Sequence, residues 1–465
     1  MPTYRMPGTY VEERPQSPPA ITDAASAVPL FVGYTQKAAR DAVDDLLLQP
    51  TPVDSLLAFE RLFGFAHAST IEVAVSEAGQ RIDVQVPAPS FLLYHALALY
   101  FANGGGRCHV VSCGLYADAE RPRRAELLTG LQAAEAPSDA TLLLAPDAVR
   151  CKSADYSAVV AAMLAHCAAQ PNRFAIVDVH GGDAAVGAGE ARSLWTMQNL
   201  RYGAAYYPFL RCSLSPWVDE FDSNVQVSVE GAPAVSLAAL QQQDAALATA
   251  VEQAIAAQPL TLPPSGAIAG LYVHSDATRG IWKAPANVAV ALAIEPAVRL
   301  GSDEQDDYNV DSATGRSINV IRAFTGKGTV VWGSRTLAGN DNEWRYVPIR
   351  RFFSLVTQSI EAATQWAVFE AHDAGTWARL RAQIENYLIQ KWRLGALAGT
   401  RPEQALYVHC GLGSTMTQRD IDQGRLVIEI GLAAVRPAEF IVQRIEHAMQ
   451  QPATGTTTDT ADAPA

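Results

Sequence analysis

The residues best placed for catalysis follow a short apolar strand in the first half of the chain. Asp178 ends the segment RFAIVD, and His180 and Asp183 flank two glycines directly after it. An α/β enzyme holds its catalytic groups at such strand ends, and a carboxylate beside an imidazole is suited to proton transfer. No cofactor motif or nucleophile elbow accompanies these residues. We therefore keep an α/β enzyme that uses Asp178 and His180 only as an alternative hypothesis.

Other segments resemble ligand-binding sequences in composition alone. The segments 326–328 (GKG) and 411–415 (GLGST) lack the GxxxxGK[ST] pattern of a phosphate-binding loop, and we interpret both as turns. The acidic run 302–311 lacks the alternating ligands and central glycine of a calcium-binding loop, and we interpret it as a solvated acidic loop. Cys108 and His109 are adjacent on a predicted strand, where neighbours point to opposite faces. We predict no metal site and no cofactor.

The six cysteines form no CxxC pair, which indicates buried thiols in a reducing compartment. The N-terminus lacks the apolar core of a signal peptide. The longest apolar run, 91–102, is too short to span a bilayer. We expect synthesis in the cytoplasm, release without Sec export and no direct insertion into a membrane.

Composition excludes two classes of protein. The 465 residues are 49% apolar and 18% charged, which indicates a folded protein with two or three domains rather than a disordered chain. A net charge of -13 argues against a general nucleic-acid binder, and we predict no nucleic-acid partner. The segment 315–450 has 16 Lys and Arg against 12 Asp and Glu, whereas the rest has 19 against 36. This distribution allows a basic surface that faces an acidic partner.

Helices and strands alternate through the first half of the chain. A strand at 27–34 precedes a helix at 53–64, for which Asp54 or Ser55 is a suitable N-cap. Two helices then lead into strands, and an alanine- and glutamine-rich helix follows: 90–103 into 108–113, 155–169 into 174–179, and 241–257. This alternation predicts an α/β layer.

The second half begins with a hairpin whose strands, 318–324 and 329–332, are separated by glycines. A helix follows in which apolar residues share one face: Phe353, Val356, Ile360, Ala363 and Ala367. Thr376 is predicted to cap a second helix that ends at Gly395. Three strands are predicted after it, at 405–409, 426–432 and 440–445. The predicted fold class is mixed α/β and α+β, with several domains.

The two termini have different compositions. A strand-like motif at 9–13 (TYVEE) lies between prolines, which disfavour a helix. An isolated strand is stable only when it pairs with the edge of a sheet. We therefore predict an extended arm at 1–20. The segment 451–465 is low in complexity and is predicted to be disordered.

Several segments, in this order, resemble the signature of contractile tail sheath proteins, which surround the inner tubes of phage tails, tailocins and extracellular contractile injection systems. The segments are PGTYVEE (7–13), RFAIVD (173–178), INVIRAF (318–324), GKGTVVWGSRTL (326–337), WRYVPIRR (344–351), TMTQRDID (415–422) and VRPAEFIV (435–442). Two positions depart from the pattern. The segment 369–372 reads FEAH where many sheath proteins have FEPN, and Ala434 replaces a frequent proline.

The resemblance implies a division of the chain into domains. A tube-facing core domain of mixed sheet and helices would be built from 264–439 and part of 21–89. The segment 21–89 would also contain the start of the outer region, and 90–263 would form the outer α/β domain or domains. The segments 1–20 and 440–450 would be arms. The resemblance further implies that the arms exchange strands between subunits, through Tyr10, Val11, Glu12, Phe440, Ile441 and Val442.

The implied function is structural, without enzymatic activity. Subunits would assemble helically and contract from a metastable extended state to drive the inner tube through a target envelope. The implied partners are other copies of the chain, the inner tube protein, sheath paralogues, the baseplate and terminal cap proteins. Assembly would take place in a bacterial or archaeal cytoplasm, followed by release in an extracellular particle or a virion tail.

The helix at 377–394 gives a hypothesis for tube attachment, because four of its residues are basic: Arg379, Arg381, Lys391 and Arg393. The matches at 335–351 and 411–421 favour an injection system over the alternatives of a phage tail or a tailocin. The competing classes make different demands on the chain. An α/β enzyme needs a pocket around Asp178, and a simple adhesive module needs no arms.

Overall fold

The computed structural model describes residues 20–76, 81–219, 224–230, 232–309, 311 and 313–437. The predicted arm residues lie outside this part of the chain, namely Tyr10, Val11, Glu12, Phe440, Ile441 and Val442. The segment 451–465 also lies outside it.

The elements of the first part are, in chain order, β1 (Pro29–Thr35), β2 (Thr51–Val53), α1 (Leu56–Phe63), β3 (Ile71–Val75), β4 (Ile82–Gln85), α2 (Leu93–Ala102), β5 (Cys108–Leu115), α3 (Arg124–Ala133), β6 (Leu142–Leu144), α4 (Ser153–Ala169), β7 (Phe174–Asp178), α5 (Ala188–Ser193), β8 (Gly203–Tyr207), β9 (Leu210–Cys212), β10 (Val225–Val229), β11 (Val235–Ser236), α6 (Leu237–Gln243), α7 (Ala245–Ala256) and β12 (Leu260–Leu262). The remaining elements are α8 (Ser265–Arg279), β13 (Val288–Ala289), β14 (Ala293–Pro296), α9 (Ser302–Asn309), β15 (Ile318–Phe324), β16 (Gly328–Val331), α10 (Val347–Thr364), α11 (Ala374–Arg393), α12 (Pro402–Ala405), β17 (Leu406–His409), α13 (Gln418–Asp422) and β18 (Glu429–Leu432).

A nine-stranded sheet forms the centre of the molecule, in the order β13-β16-β15-β8-β7-β6-β1-β5-β2. The six strands from β15 to β5 are parallel, and β16, β13 and β2 extend the two ends antiparallel. Strands β1, β6, β7 and β8 are buried along their whole length, as expected for parallel strands covered on both faces. The sheet takes strands from 21–89, 90–263 and 264–439, and the division into inner and outer domains stays a prediction.

Two smaller apolar cores accompany the main one. The first lies between α10 and α11 and includes Phe352, Ile384 and Leu388 together with Ile21 from the start of the described chain. The second lies between the four-stranded sheet β11-β10-β3-β4 and the helices α6 and α7. A separate three-stranded sheet has the order β12-β9-β14. The prediction of a multidomain fold with mixed helices and sheets is confirmed.

Helix α8 was not predicted from the sequence, because its glycines are unfavourable in an isolated helix. The structure shows what the glycines allow. A Cβ atom on Gly266 would lie 2.1 Å from the carbonyl oxygen of Ala96, and one on Gly270 would lie 2.5 Å from that of Tyr100. Helices α8 and α2 therefore pack backbone to backbone over the sheet.

The prediction of an acidic loop at 302–311 is wrong over most of its length, because residues 302–309 form α9. Acidic residues favour the first turn of a helix, where they face its positive end. The Glu304 carboxylate also accepts a hydrogen bond of 2.7 Å from the N–H of Gly301. Tyr308 is buried and stacks on Tyr207 with ring centres 5.0 Å apart, which fixes the far end of the helix.

Two helix boundaries also differ from the prediction. The cap of α11 is Asp373, whose carboxylate accepts a hydrogen bond of 2.9 Å from the N–H of Thr376. Thr376 itself lies inside the first turn. The helix predicted at 241–257 is divided into α6 and α7 by Asp244, whose side chain caps α7 by accepting from Leu247 N–H at 3.0 Å.

Candidate functional site

Asp178 is buried at the carboxyl end of β7. Its Oδ1 accepts a hydrogen bond of 2.7 Å from the N–H of Ser265, the first residue of α8. Burial raises the pKa of Asp178 to about 7, and the hydrogen bonds from Ser265 only partly oppose this shift. The carboxyl group thus satisfies an N–H group at a helix start that would otherwise be buried without a partner.

Asp147 makes an equivalent contact after the neighbouring strand β6, and sequence analysis did not identify it. It is fully buried, and its carboxylate accepts hydrogen bonds from Tyr34 N–H at 2.7 Å and from Leu92 N–H at the start of α2. Burial raises its pKa to about 6. Two adjacent parallel strands therefore each position a carboxyl group against the start of one of the packed helices α2 and α8.

The other residues of the catalytic hypothesis have separate partners. His180 Nε2 lies 3.0 Å from the carbonyl oxygen of Cys151, and Asp183 lies 3.9 Å from Arg150. Neither contact involves the Asp178 carboxylate, so the structure does not bring the three side chains together around one substrate position. Within the described ranges, no group of three or more His, Cys, Asp or Glu could hold a metal ion.

The start of the described chain is anchored to α10 and α11. The Asp23 carboxylate accepts a hydrogen bond of 2.7 Å from Tyr387 Oη and forms an ion pair with Lys391. The N–H of Ala24 donates to Ser359 Oγ at 2.9 Å. An arm that precedes residue 20 therefore leaves from a fixed position beside the core between α10 and α11.

The predicted basic residues of α11 are not on one surface. Lys391 is buried, whereas Arg379, Arg381 and Arg393 are exposed. Each residue of an α-helix is rotated by about 100° about the helix axis from the one before it. Arg379 and Arg393 therefore lie on one flank of the buried side of α11, and Arg381 lies on the other flank. Arg379 also pairs with Glu370 at 3.1 Å.

The basic excess of 315–450 is largely internal. Among the residues of this segment that the structure describes, five cationic side chains are buried, namely Arg316, Arg335, Arg350, Arg351 and Lys391. Arg351 forms a two-pronged ion pair with Asp276, at 2.6 and 3.1 Å, and lies over the ring of Tyr272. The charge count alone therefore overstates the basic surface.

Strands β17 and β18 form a two-stranded antiparallel sheet packed beside α11. The N–H of Ala433 donates to the carbonyl of Ala405 at 2.8 Å. Because N–H groups alternate in direction along an antiparallel strand, those of Ile430 and Leu432 point away from β17. Over the described residues, β18 pairs with no further strand on that side, so this edge can accept one.

Two solved sheath structures match nearly the whole chain. One is the contracted sheath complex of the extracellular contractile injection system PVC, with 30% identity, coverage of 96% of this chain and 98% of that one, and a TM-score of 0.65. The other is the contracted helical sheath of the anti-feeding prophage (AFP), with 31% identity, coverage of 96% and 99%, and a TM-score of 0.64. This chain belongs to the contractile tail sheath family.

Sequence comparisons place the sheath protein in the same family. Residues 339–447 match the model of the phage tail sheath C-terminal domain. The tail sheath protein of Vibrio phage KVP40 is 28% identical over 136 residues, which are 29% of this chain. That match covers only 20% of the phage protein.

The family is a structural one, and the buried acids of this sheath protein have positions that suit a scaffold. Asp147 and Asp178 hold helix starts rather than facing a shared cleft. The six cysteines are buried and unpaired with one another, as predicted. Within the part that the structure describes, every helix is too short or too polar to cross a bilayer.

Proposed function

We propose that this chain is the sheath subunit of an extracellular contractile injection system. It assembles into a helical tube of identical subunits around an inner tube and shortens to drive that tube through a target envelope. The observation that carries the proposal is the open edge of β18. A two-stranded sheet is marginal by itself, and it gains stability when a neighbour adds a strand.

The arms supply the strands that fit this edge. The motif around Tyr10, Val11 and Glu12 is strand-like, and the residues Phe440, Ile441 and Val442 are apolar throughout. Both suit strand addition. Main-chain hydrogen bonds to Ile430 and Leu432 would provide affinity. Pockets for alternate side chains would provide register.

A groove beside β18 offers such pockets. It has a volume of about 570 Å³ and lies between the loop after α10 and the extended residues that lead into β18. Its apolar lining includes Leu380, Leu426 and Ile428. Phe369, the first residue of the segment FEAH that stands where many sheath proteins have FEPN, borders the groove with a fully exposed side chain and a φ of 69°. A neighbour's arm on β18 would cover this apolar surface.

Contraction follows from this type of joint. Paired arms keep subunits connected, while the proline-containing linkers allow each subunit to change its orientation. The extended state is metastable, and additional burial between subunits in the contracted state drives the stroke. The energy is stored during assembly, so the stroke uses no nucleotide.

The inner tube is the proposed partner of α11. We assign the tube-facing side to the flank that carries Arg379 and Arg393, because two exposed cations of α11 lie on that flank and only Arg381 on the other. The baseplate, a terminal cap and sheath paralogues would contact the ends of the assembly. The particle would form in a bacterial or archaeal cytoplasm and act after release.

Negative-stain electron microscopy of two chains tests the proposal. The full chain is expected to form long hollow striated tubes, with or without added inner tube, and a version that starts at Ile21 is expected to form none. Because Ile21 and Asp23 remain, the start of the shorter version stays anchored to the core between α10 and α11. Tubes from both versions would contradict assembly through the N-terminal arm, and tubes from neither, even with inner tube present, would contradict the sheath function.

A further inference from the structure

A second groove lies beside the hairpin β15–β16. It has a volume of about 450 Å³ and is bounded by the end of α8, the residues before β13, and α9. Its lining includes Arg279, Asn287, Gln305, Asp306, Arg322 and Trp332. Nothing in the assembly through β18 uses this groove.

One wall of the groove combines an aromatic surface with a positive charge. Trp332 is 37% exposed, and its ring centre lies 4.6 Å from that of Phe324. Arg322 lies over Phe324 at 5.3 Å and donates to Gln305 Oε1 at 2.6 Å. The wall can therefore bind an apolar side chain that has a carboxylate next to it.

The chain itself leads into this groove. Pro437, the last described residue, is part of its lining. Two residues earlier, the N–H of Val435 donates to the carbonyl of Ala396 at 3.2 Å, which holds the chain in place next to the groove. The residues that follow are Ala438, Glu439, Phe440, Ile441 and Val442. At about 3.5 Å per residue, Phe440 can lie within about 10 Å of Pro437, inside the groove.

We propose that the unassembled subunit docks its own segment 438–442 in this groove, with Phe440 against Trp332 and Glu439 beside Arg322. A short covalent connection gives the segment a high effective concentration at the groove, so modest contacts are sufficient. An apolar segment is thereby covered in the free subunit.

Docking competes with assembly, because Phe440, Ile441 and Val442 are the residues assigned to strand exchange. A subunit must release the segment before it can join a neighbour. This consequence rests on the proposed function, whereas the docking itself rests only on the groove and on the position of Pro437. Release at the growing end of a sheath would restrict polymerisation to that end.

Trypsin provides a direct test, because Arg444 is the only Lys or Arg in 438–465 and Arg436 is followed by proline. Cleavage after Arg444 releases the peptide 445–465, which mass spectrometry quantifies. At a concentration where sedimentation shows monomers, release from the full chain is expected to be at least about tenfold slower than cleavage of the free peptide 438–465. Trp332→Ala should remove this protection. The control Leu57→Ala, at an exposed apolar residue outside the groove, should retain it.

A second variant keeps the test decisive if Trp332→Ala disturbs folding. Ser302 is exposed at the rim of the groove, so Ser302→Trp fills the groove and leaves Trp332 in place. It should accelerate cleavage to the rate of the free peptide. Unprotected cleavage in the unmodified chain, or equal rates in all variants, would overturn the docking. Protection that increases with protein concentration would overturn it as well, because a second copy would then be the occupant.

The outcome is separable from that of the proposed function. Tubes without protection of Arg444 would remove the docking and leave the sheath function intact. Protection of Arg444 without tube formation would contradict the sheath function and leave the docking intact.

Discussion

The carboxylate of Asp178 accepts a hydrogen bond of 2.7 Å from the backbone N–H of Ser265. This hydrogen bond connects the end of a central strand to the start of α8, a helix whose glycines pack closely against the backbone of α2. Asp147 ties the next strand to α2 in the same way. The acids at the strand ends of this chain thus align two helices over the sheet. In many α/β enzymes the same positions, at the carboxyl ends of the strands, hold catalytic groups.

Replacing Asp178 by Asn should change how stability depends on pH. The pKa of Asp178 is about 7 in the folded chain and near 3.9 when unfolded, so its contribution to stability is complete below pH 4 and is lost as pH rises through 7. Relative to the unmodified chain, Asp178→Asn should gain about 2–4 kcal/mol of unfolding free energy between pH 4 and pH 8. Urea unfolding of the monomer at several pH values measures this difference.

The matched variant Asp178→Ala separates the charge from the hydrogen bond. Alanine cannot accept from Ser265 N–H, so the variant should lose about 1–3 kcal/mol at pH 4, where Asp178→Asn should be nearly neutral. A pH profile of Asp178→Asn parallel to that of the unmodified chain would contradict the buried, proton-binding state of Asp178.

The ion pair between Arg351 and Asp276 should be costly to break. Both side chains are buried, at 3% and 5% exposure, so Arg351→Ala leaves a carboxylate without its partner and should lower the unfolding free energy by about 3–5 kcal/mol. Arg351→Met combined with Asp276→Leu should recover most of the loss. Arg299→Ala is the control, because its pair with Glu295 is exposed and should contribute less than about 1 kcal/mol. Equal losses for the two arginine-to-alanine variants would refute this assignment.

Close packing of α8 on α2 predicts that Gly266→Ala is destabilising. The added Cβ would meet the carbonyl oxygen of Ala96 at 2.1 Å, so the helices must separate, at a cost of about 3 kcal/mol. Gly189→Ala is the matched control in α5, where a Cβ meets no atom within 4 Å. It should be neutral or slightly stabilising. Thermal unfolding of both variants measures the effect, and an unchanged melting temperature for Gly266→Ala would show that the helices are not in such close contact.

Tube attachment should depend on one flank of α11. Reversing Arg379 and Arg393 to Glu is expected to weaken assembly on the inner tube by at least about tenfold at low salt, with a smaller effect at high salt because charges are then screened. Arg381→Glu, on the other flank, should have little effect. Co-sedimentation of subunits with preformed inner tubes gives the comparison. If the double reversal binds like the unmodified chain at both salt concentrations, α11 is not the attachment helix.

Local patterns were sufficient to predict some elements closely. The alternation of 318–324 and the glycines after it gave β15, β16 and their connection, where Gly326 and Gly328 have φ values of 78° and 73°. Ser55, one of two predicted caps, accepts a hydrogen bond from Ala58 N–H at the start of α1. These features depend on neighbours in sequence, which the pattern contains.

Features that depend on distant residues were not predictable. Lys391 was expected on a basic surface, but it is buried beside the core between α10 and α11, where it pairs with Asp23, far away in sequence. Helix α8 forms despite its glycines because the backbone of α2 requires them. In the sequence, Asp147 resembles an ordinary loop residue. Its role is evident only in the fold, where its carboxylate accepts hydrogen bonds from N–H groups of β1 and of the start of α2.

The central claim is that a neighbour's arm covers the open edge of β18, and hydrogen exchange measures this most directly. In monomers, the amides of Ile430 and Leu432 point away from β17 and should exchange quickly. In assembled tubes they should exchange at least about tenfold more slowly, because an added strand accepts hydrogen bonds from them. Unchanged exchange at these two amides in tubes would contradict strand exchange at β18 as the joint of the sheath.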